Sequence, residues 1–434
     1  MSKVYPSTID ALAPAELSDL TFKYPQSSQK YVSRNSYVPE TLLPLTQTGW
    51  HHIKWYHFIE IIFCAIFLAV PRVLLMLITT VLTLIICNLG LIGIKNDNPV
   101  KPDIHGLRRL SQMIGRVLYR SVFFCLGVWY VEIKGKPAKM SEAPIQVMSP
   151  HSTMLDTVIV ALSKVSPIAN SGNTSWLPIR LIMPLLVDRT DKKSRNKISE
   201  EIHRRSKNSE EGWYPILVYP EATTHNGSTH IRFKPGAFSP GLPVQPVYLE
   251  IQSEPDFITW PVICPKWYIV LLMNILRIRH KITIHYLPVY HPNDDEKADP
   301  ELYAFNVRKQ MSVFSKLPVF DLCYEDVRFL EHFKSKYHSD YKNGVVKVFK
   351  LYQVYGATYK DVENALHEHM TECEGVLDED TKCCKLDVFA SIHDRSRMSM
   401  FKDLEKIEDF DSETGSVSVG AAIEWKIMNM KQKV

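Results

Sequence analysis

The chain has 434 residues, 45% hydrophobic and 23% charged, with a formal net charge of +4. That length allows about two or three domains. The charge is too small, and the basic residues too scattered, to point to nucleic acid. The eight cysteines include no C-x-x-C pair, so they indicate neither a disulfide framework nor a zinc ribbon.

Residues 1 to about 50 are polar and proline-bearing and lack a sustained period, so they read as disordered, with no cleavable signal peptide. Trp50, Trp55 and Tyr56 then crowd together with three histidines, a composition that suits a membrane–water boundary. An apolar zone follows, and residues 51–100 are expected to anchor the chain in a membrane. Val73 to Ile94 is uncharged throughout and long enough to span a hydrocarbon core of about 20 helical residues. Pro71 is expected to break the helix before it, and Arg72 would be costly at mid-membrane. Two arrangements satisfy this: one span preceded by an interfacial helix, or a helical hairpin that enters and leaves by the same face. Ser121 to Tyr130 reads as a short interfacial helix.

From Val131 to about Tyr290 the pattern is α/β. Strands are expected at Val131–Ile133, Ile145–Met148, Ile216–Tyr219, Val244–Ile251 and Ile282–Leu287. Helices are expected at Thr153–Ser163 and Asp191–Lys207, and Trp267 to Ile278 reads as a core helix or a membrane-facing one. Alternating elements imply a mixed sheet flanked by helices, with the central domain at 101–320. Residues 321–434 are more charged and mainly helical. Asp409 to Gly415 resembles a calcium loop, but lacks the glycine and glutamate such a loop needs, so no calcium binding is expected. His367, His369, Cys373, Cys383 and Cys384 match no metal-ligand spacing, and no metal site is assigned.

His151 and Asp156 stand five apart after the apolar run Ile145–Met148. On one helix they would point about 140° apart. They can meet only if His151 precedes the helix and Asp156 lies inside it. The carboxylate can then hold one imidazole nitrogen while the other faces a substrate. The alternative is a surface histidine beside a helix-capping acid, and roughly one such pair is expected by chance in this chain. Context decides. Three further blocks follow in order: Leu186-Val187-Asp188-Arg189-Thr190-Asp191; Tyr219-Pro220-Glu221-Ala222-Thr223-Thr224 running on to Phe233-Lys234-Pro235-Gly236-Ala237-Phe238; and Gly241-Leu242-Pro243-Val244-Gln245-Pro246-Val247.

This order of motifs resembles the glycerophospholipid acyltransferases, and within them the lysophosphatidylcholine and lysophosphatidylethanolamine acyltransferases, over about residues 40–330. The resemblance implies acyl transfer from acyl-CoA, as co-substrate and without a bound cofactor, to a lysophospholipid. His151 is then the general base and Asp156 its orienting partner. Arg189 corresponds to a phosphate contact, Glu221 to a residue that holds glycerol hydroxyls or orders its loop, and Lys234 to a phosphate contact. Thr223, Thr224 and Gly236 complete the substrate side. Two departures matter. Ala222 stands where the family has glycine, which costs about 1 kcal/mol if the position is left-handed. Thr224 stands where phosphatidic-acid-forming relatives carry arginine, which favours a phosphodiester head group over a phosphate monoester. The resemblance also implies an endoplasmic reticulum membrane with the domain facing the cytosol. The sequons at Asn173 and Asn226 would then go unused.

Overall fold

The structure is a computed structural model that describes residues 53–93, 106–170, 184–187, 192–262 and 264–319, together with Gln47 and shorter stretches between 322 and 431. The described residues fall into two compact units, one up to Cys323 and the other from Tyr324 onward.

The first unit is built on a seven-stranded sheet. Its strands are β1 (Val131–Lys134), β2 (Ile145–Ser149), β3 (Ser166–Asn170), β4 (Leu185–Val187), β5 (Ile216–Val218), β6 (Val244–Gln252) and β7 (Lys281–Tyr286), in the order β1-β7-β6-β2-β5-β3-β4. All neighbours are parallel except β6 and β7, which are antiparallel. Strand β2 is central. Ile145 lies opposite Ile216 of β5 and Val244 of β6, and all five of its residues are buried. A strand covered on both faces is mostly apolar rather than alternating, and its buried Gln146 donates to Gln245 at 3.3 Å.

Two helices precede the sheet. Helix α1 runs unbroken from Trp55 to Gly90, and α2 covers Gly106–Cys125. The expected break at Pro71 does not occur. A stretch of π-helix, Cys64–Leu68, lies just upstream. A proline has no N–H for the carbonyl four residues back, here Phe67, and its ring crowds that turn. Local widening to the π form absorbs the mismatch. Arg72 is buried in protein. Its guanidinium donates to the carbonyls of Ile275, Arg277 and Ile278 at 2.6, 2.5 and 3.0 Å. These are chain-end carbonyls of helix α5 (Trp267–Ile275) and the turn after it, groups that a helix leaves unpaired.

The expected interfacial helix at Ser121–Tyr130 is corrected. Ser121 to Cys125 is the last turn of α2, and Val128 and Trp129 are held by Arg120 of the same helix. The arginines at 108, 109, 116 and 120 hide the apolar period of this helix in the sequence. Helix α5 has two faces: Val270, Met273 and Ile275 are buried, while Trp267, Tyr268 and Leu272 are exposed.

The charged helix α4, as numbered after the short α3 (Val158–Leu162), is Lys192–Lys207, and Ile202 anchors it in the core. After β7 come α6 (Asp294–Ala298) and α7 (Pro300–Ser315), which the sequence pattern did not reveal. Helix α7 starts at an Asp299 cap with Pro300 in its first position and stops at left-handed Lys316. The second unit contains α8 (Tyr359–Glu372), α9 (Val419–Lys431) and a three-stranded sheet of β8 (Cys384–Lys385), β10 (Ser416–Val417) and β9 (Phe410–Asp411). Among the described residues no three His, Cys, Asp or Glu groups converge as metal ligands. Cys373 and Cys383 lie outside them, as do the Asp409 and Ser412–Gly415 parts of the calcium-loop resemblance.

Candidate active site

Strands β2 and β5 are parallel neighbours, and the site forms where they end. Ligands in open α/β sheets sit outside the carboxyl ends of the strands. Strand β2 delivers Ser149, Pro150 and His151. Strand β5 delivers Tyr219, Pro220 and Glu221.

The segment after His151 is not one helix from Thr153 to Ser163. It is a 3₁₀ turn, Met154–Thr157, that passes into α3. Thr153 caps this turn by accepting the Leu155 N–H. Asp156 answers by accepting the N–H of Thr153 at 3.2 Å and of Ser152 at 2.7 Å. The same oxygen lies 2.7 Å from Nδ1 of His151. Asp156 therefore caps the turn and holds the imidazole, so both readings of the sequence apply to it. The carboxylate is fully buried, while His151 keeps 23% of its side chain accessible. With Nδ1–H donated to Asp156, Nε2 carries the free lone pair.

Tyr219 stacks on the His151 ring, centroids 4.2 Å apart at 27°. Its hydroxyl donates to the Asp156 carbonyl. Burial, then the charge of Asp156, holds the phenol well above its ordinary value, so it stays protonated. Tyr119 from α2 meets Thr157 at 2.9 Å across the turn. Sequence reasoning passed over both tyrosines. For Tyr219 the signal was its place at the end of a strand, directly before the Pro-Glu pair.

Glu221 is fully buried and saturated by protein. Its Oε2 accepts the backbone N–H of His151 at 2.6 Å and faces Nε2 of His225 at 3.1 Å. Its Oε1 accepts from Ser149 at 2.8 Å. Burial raises the carboxyl pKa, but the His225 and His230 rings and the His151 N–H outweigh it, so the group sits below its ordinary value. These contacts tie Glu221 to both Ser149 and the main chain of His151. Ala222 has φ of 57°, the left-handed conformation where the family's glycine would be unstrained.

Thr223 and Thr224 are half-buried, and the Thr224 hydroxyl donates to the Trp260 carbonyl. Lys234 is half-buried, and its N–H donates to the Pro220 carbonyl at 2.8 Å, which ties the Lys-Pro-Gly turn to the Glu221 loop. Gly236 is exposed, avoids the left-handed region and has open space around it. Neither its backbone nor its packing demands glycine. Arg189 lies outside the described residues.

The geometry is that of a base held by a buried carboxylate, open on one nitrogen and backed by an aromatic ring. Residues 131–250 match the family model Acyltransferase. Among curated relatives, lysophosphatidylcholine acyltransferase 1 of Danio rerio is 38% identical over 54% of this chain and 45% of its own length. Lysophosphatidylcholine acyltransferase 2 of Homo sapiens is 36% identical over 51% and 42%. Lysophosphatidylcholine acyltransferase of Drosophila melanogaster is 34% identical over 55% and 46%. The chain thus spans a little under half the length of the curated relatives it matches. A solved structure of a 1-acyl-sn-glycerophosphate acyltransferase from Thermotoga maritima aligns over 57% of this chain and 98% of its own at 16% identity, with a TM-score of 0.35, too distant a likeness to argue from.

Proposed function

We propose that this chain is a membrane-anchored O-acyltransferase that moves a fatty acyl group from acyl-CoA to the free hydroxyl of a lysophospholipid. The observation that carries the reading is the His151–Asp156 contact, with Nε2 of a partly accessible imidazole left free. Nε2 takes the hydroxyl proton as the lipid oxygen attacks the thioester carbonyl. The oxyanion then collapses, the carbon–sulfur bond breaks, and the imidazolium returns its proton to the leaving thiolate. Asp156 stabilises the imidazolium between these steps. No acyl-enzyme is required and no metal or calcium enters.

Lysophosphatidylcholine or its ethanolamine analogue is the favoured acceptor. Thr224 contributes no cation, and its hydroxyl is engaged by a backbone carbonyl. A phosphodiester carries less charge than a monoester and asks for fewer cations. A panel of acyl-CoAs and lysophospholipids, assayed with purified protein, tests the reading. Preference for lysophosphatidic acid would replace the acceptor. No transfer to any acceptor would leave a lipid-binding protein.

Helix α1 is the membrane element, and it lies along the enzyme. Ile61 and Leu68 pack on Phe257 and Met273, Val73 and Met76 on the sheet core, and Leu91 just beyond its end on Met140 and Trp213. Its opposite side is an exposed apolar stripe from Trp55 through Ile66, Leu77 and Ile85 to Leu89. At 1.5 Å per residue that stripe is about 50 Å long, well beyond a hydrocarbon core of about 30 Å. A helix bound to the domain along this whole length lies in one leaflet, with Leu110 and Val117 of α2 and Trp267 of α5 adding apolar surface. The membrane is that of the endoplasmic reticulum, with the site on the cytosolic side where acyl-CoA is found.

A further inference from the structure

We infer that His225 is a positioning residue for His151, acting through the main chain rather than on substrate. The inference rests on the reading of His151 as the base. His225 lies in the loop after Glu221, within the third sequence block but with no role assigned there, and is fully buried. Its backbone N–H donates to the carbonyl of His151 at 3.0 Å. Its Nδ1 accepts the N–H of Gly227 at 3.2 Å, which places its proton on Nε2. Nε2 then donates to Oε2 of Glu221 at 3.1 Å. That oxygen is the one that accepts the His151 N–H at 2.6 Å. Both main-chain polar groups of His151 are therefore gripped, one by Glu221 and the other by His225, and the two gripping residues are bonded to each other.

The grip extends in both directions. Ser149 donates to the second oxygen of Glu221, and His230 approaches Ser149 at 2.6 Å. Beyond His151, the Ser152 carbonyl accepts the Trp260 N–H at 2.8 Å. The Gly227 turn sits against Ser152, where an added Cβ would come within 3.3 Å of the serine Cβ. The general base would thus be aimed by a closed ring of contacts around its own peptide units. Asp156 fixes how the imidazole is turned, and the Glu221–His225 pair fixes where it stands. Displacements of about 1 Å in such a group can cost about a hundredfold in rate.

H225L keeps the backbone bond to His151 but removes the side-chain grip on Glu221. Its kcat should fall about ten- to a hundredfold, with KM for acyl-CoA and for lysophospholipid each within twofold of wild type. H225Q, whose amide can still donate to Glu221, should recover kcat to within about threefold. Should H225L not fold, H225N, polar but too short to reach Glu221, decides by the same measure. Wild-type kcat in the leucine or asparagine variant, a change confined to KM, or no recovery with glutamine would each overturn the inference. H151A, run alongside, separates the two failures: if H151A keeps its rate, the reading of the base is wrong. If only H151A is inactive and the His225 variants are normal, the positioning role alone fails.

Discussion

One oxygen of Asp156 accepts three donors: Nδ1 of His151 at 2.7 Å, the Ser152 N–H at 2.7 Å and the Thr153 N–H at 3.2 Å. Turn geometry and imidazole orientation are therefore a single property here. H151A should lower kcat by about 10²–10⁴, the usual worth of a positioned base. D156N should cut kcat by a similar factor while leaving KM nearly unchanged, because the amide can still cap the turn but presents an N–H or a neutral oxygen to Nδ1. Steady-state kinetics with far-UV circular dichroism checks both, and full activity in either variant rules out the assignment.

His230 gives a prediction about stability against pH. It is buried between Ser149 and Ser315, with Glu221, His225 and Arg308 as its charged or titratable surroundings. Burial lowers its pKa from 6.5 to about 4. A depressed histidine contributes stability that is complete above 6.5 and is lost as the pH falls towards 4, because the unfolded chain binds the proton first. At about 1.4 kcal/mol per unit the loss is on the order of 3 kcal/mol. H230N should therefore show a flatter dependence of melting temperature on pH between 7 and 5 than wild type. Parallel curves would mean that His230 does not remain neutral in the fold.

Arg72 joins α1 to the domain through three backbone carbonyls. Replacing it by leucine leaves those carbonyls buried without a donor, and each hydrogen bond to a charged group is worth about 1.5–3 kcal/mol. R72L should lose about 3 kcal/mol or more and become sensitive to proteolysis near Ile278. A thermal melt in lipid nanodiscs within a degree of wild type would contradict this.

Ala222 reverses an ordinary rule. Alanine to glycine usually destabilises by about 0.5–1 kcal/mol. Here the left-handed backbone adds about 1–2 kcal/mol of strain that glycine would relieve. A222G should match or exceed wild-type stability, and A222V should fall below both, read by denaturant midpoints.

The disposition of α1 is open to a depth measurement. Spin labels at Ile59, Val70, Val81 and Leu89, all on the exposed stripe, should report similar immersion depths in vesicles. A steady gradient or a maximum at mid-helix would show that the helix crosses the bilayer, even if acyl transfer is intact.

Much of the central sheet was legible because local pattern was enough. Ile145–Met148, Ile216–Tyr219 and Val244–Ile251 are mainly apolar runs, each preceded by a proline, and each contributes a strand. β3 and β4 escaped notice because Ser166–Asn170 has polar ends and a proline, and Leu185–Val187 runs straight into the Asp188-Arg189 block. Pro71 misled for a different reason. Proline cost is local, but its relief came from a π-helical turn stabilised by packing on the domain. The site motifs were legible as a set, yet Tyr219, His225 and His230 were invisible as partners. A single tyrosine or histidine carries no spacing signal.

The sequence by itself determined which residue types are available, where the main strands run, and that an imidazole and a carboxylate flank a turn, because these depend on local composition and on contacts five residues long. Tertiary structure alone decided that Glu221 faces inward, that Arg72 serves carbonyls of a distant helix, and that α1 lies along the domain. Those outcomes join groups some 70 to 200 residues apart, and burial, which sets the strength of every polar contact among them, exists only once the chain is packed.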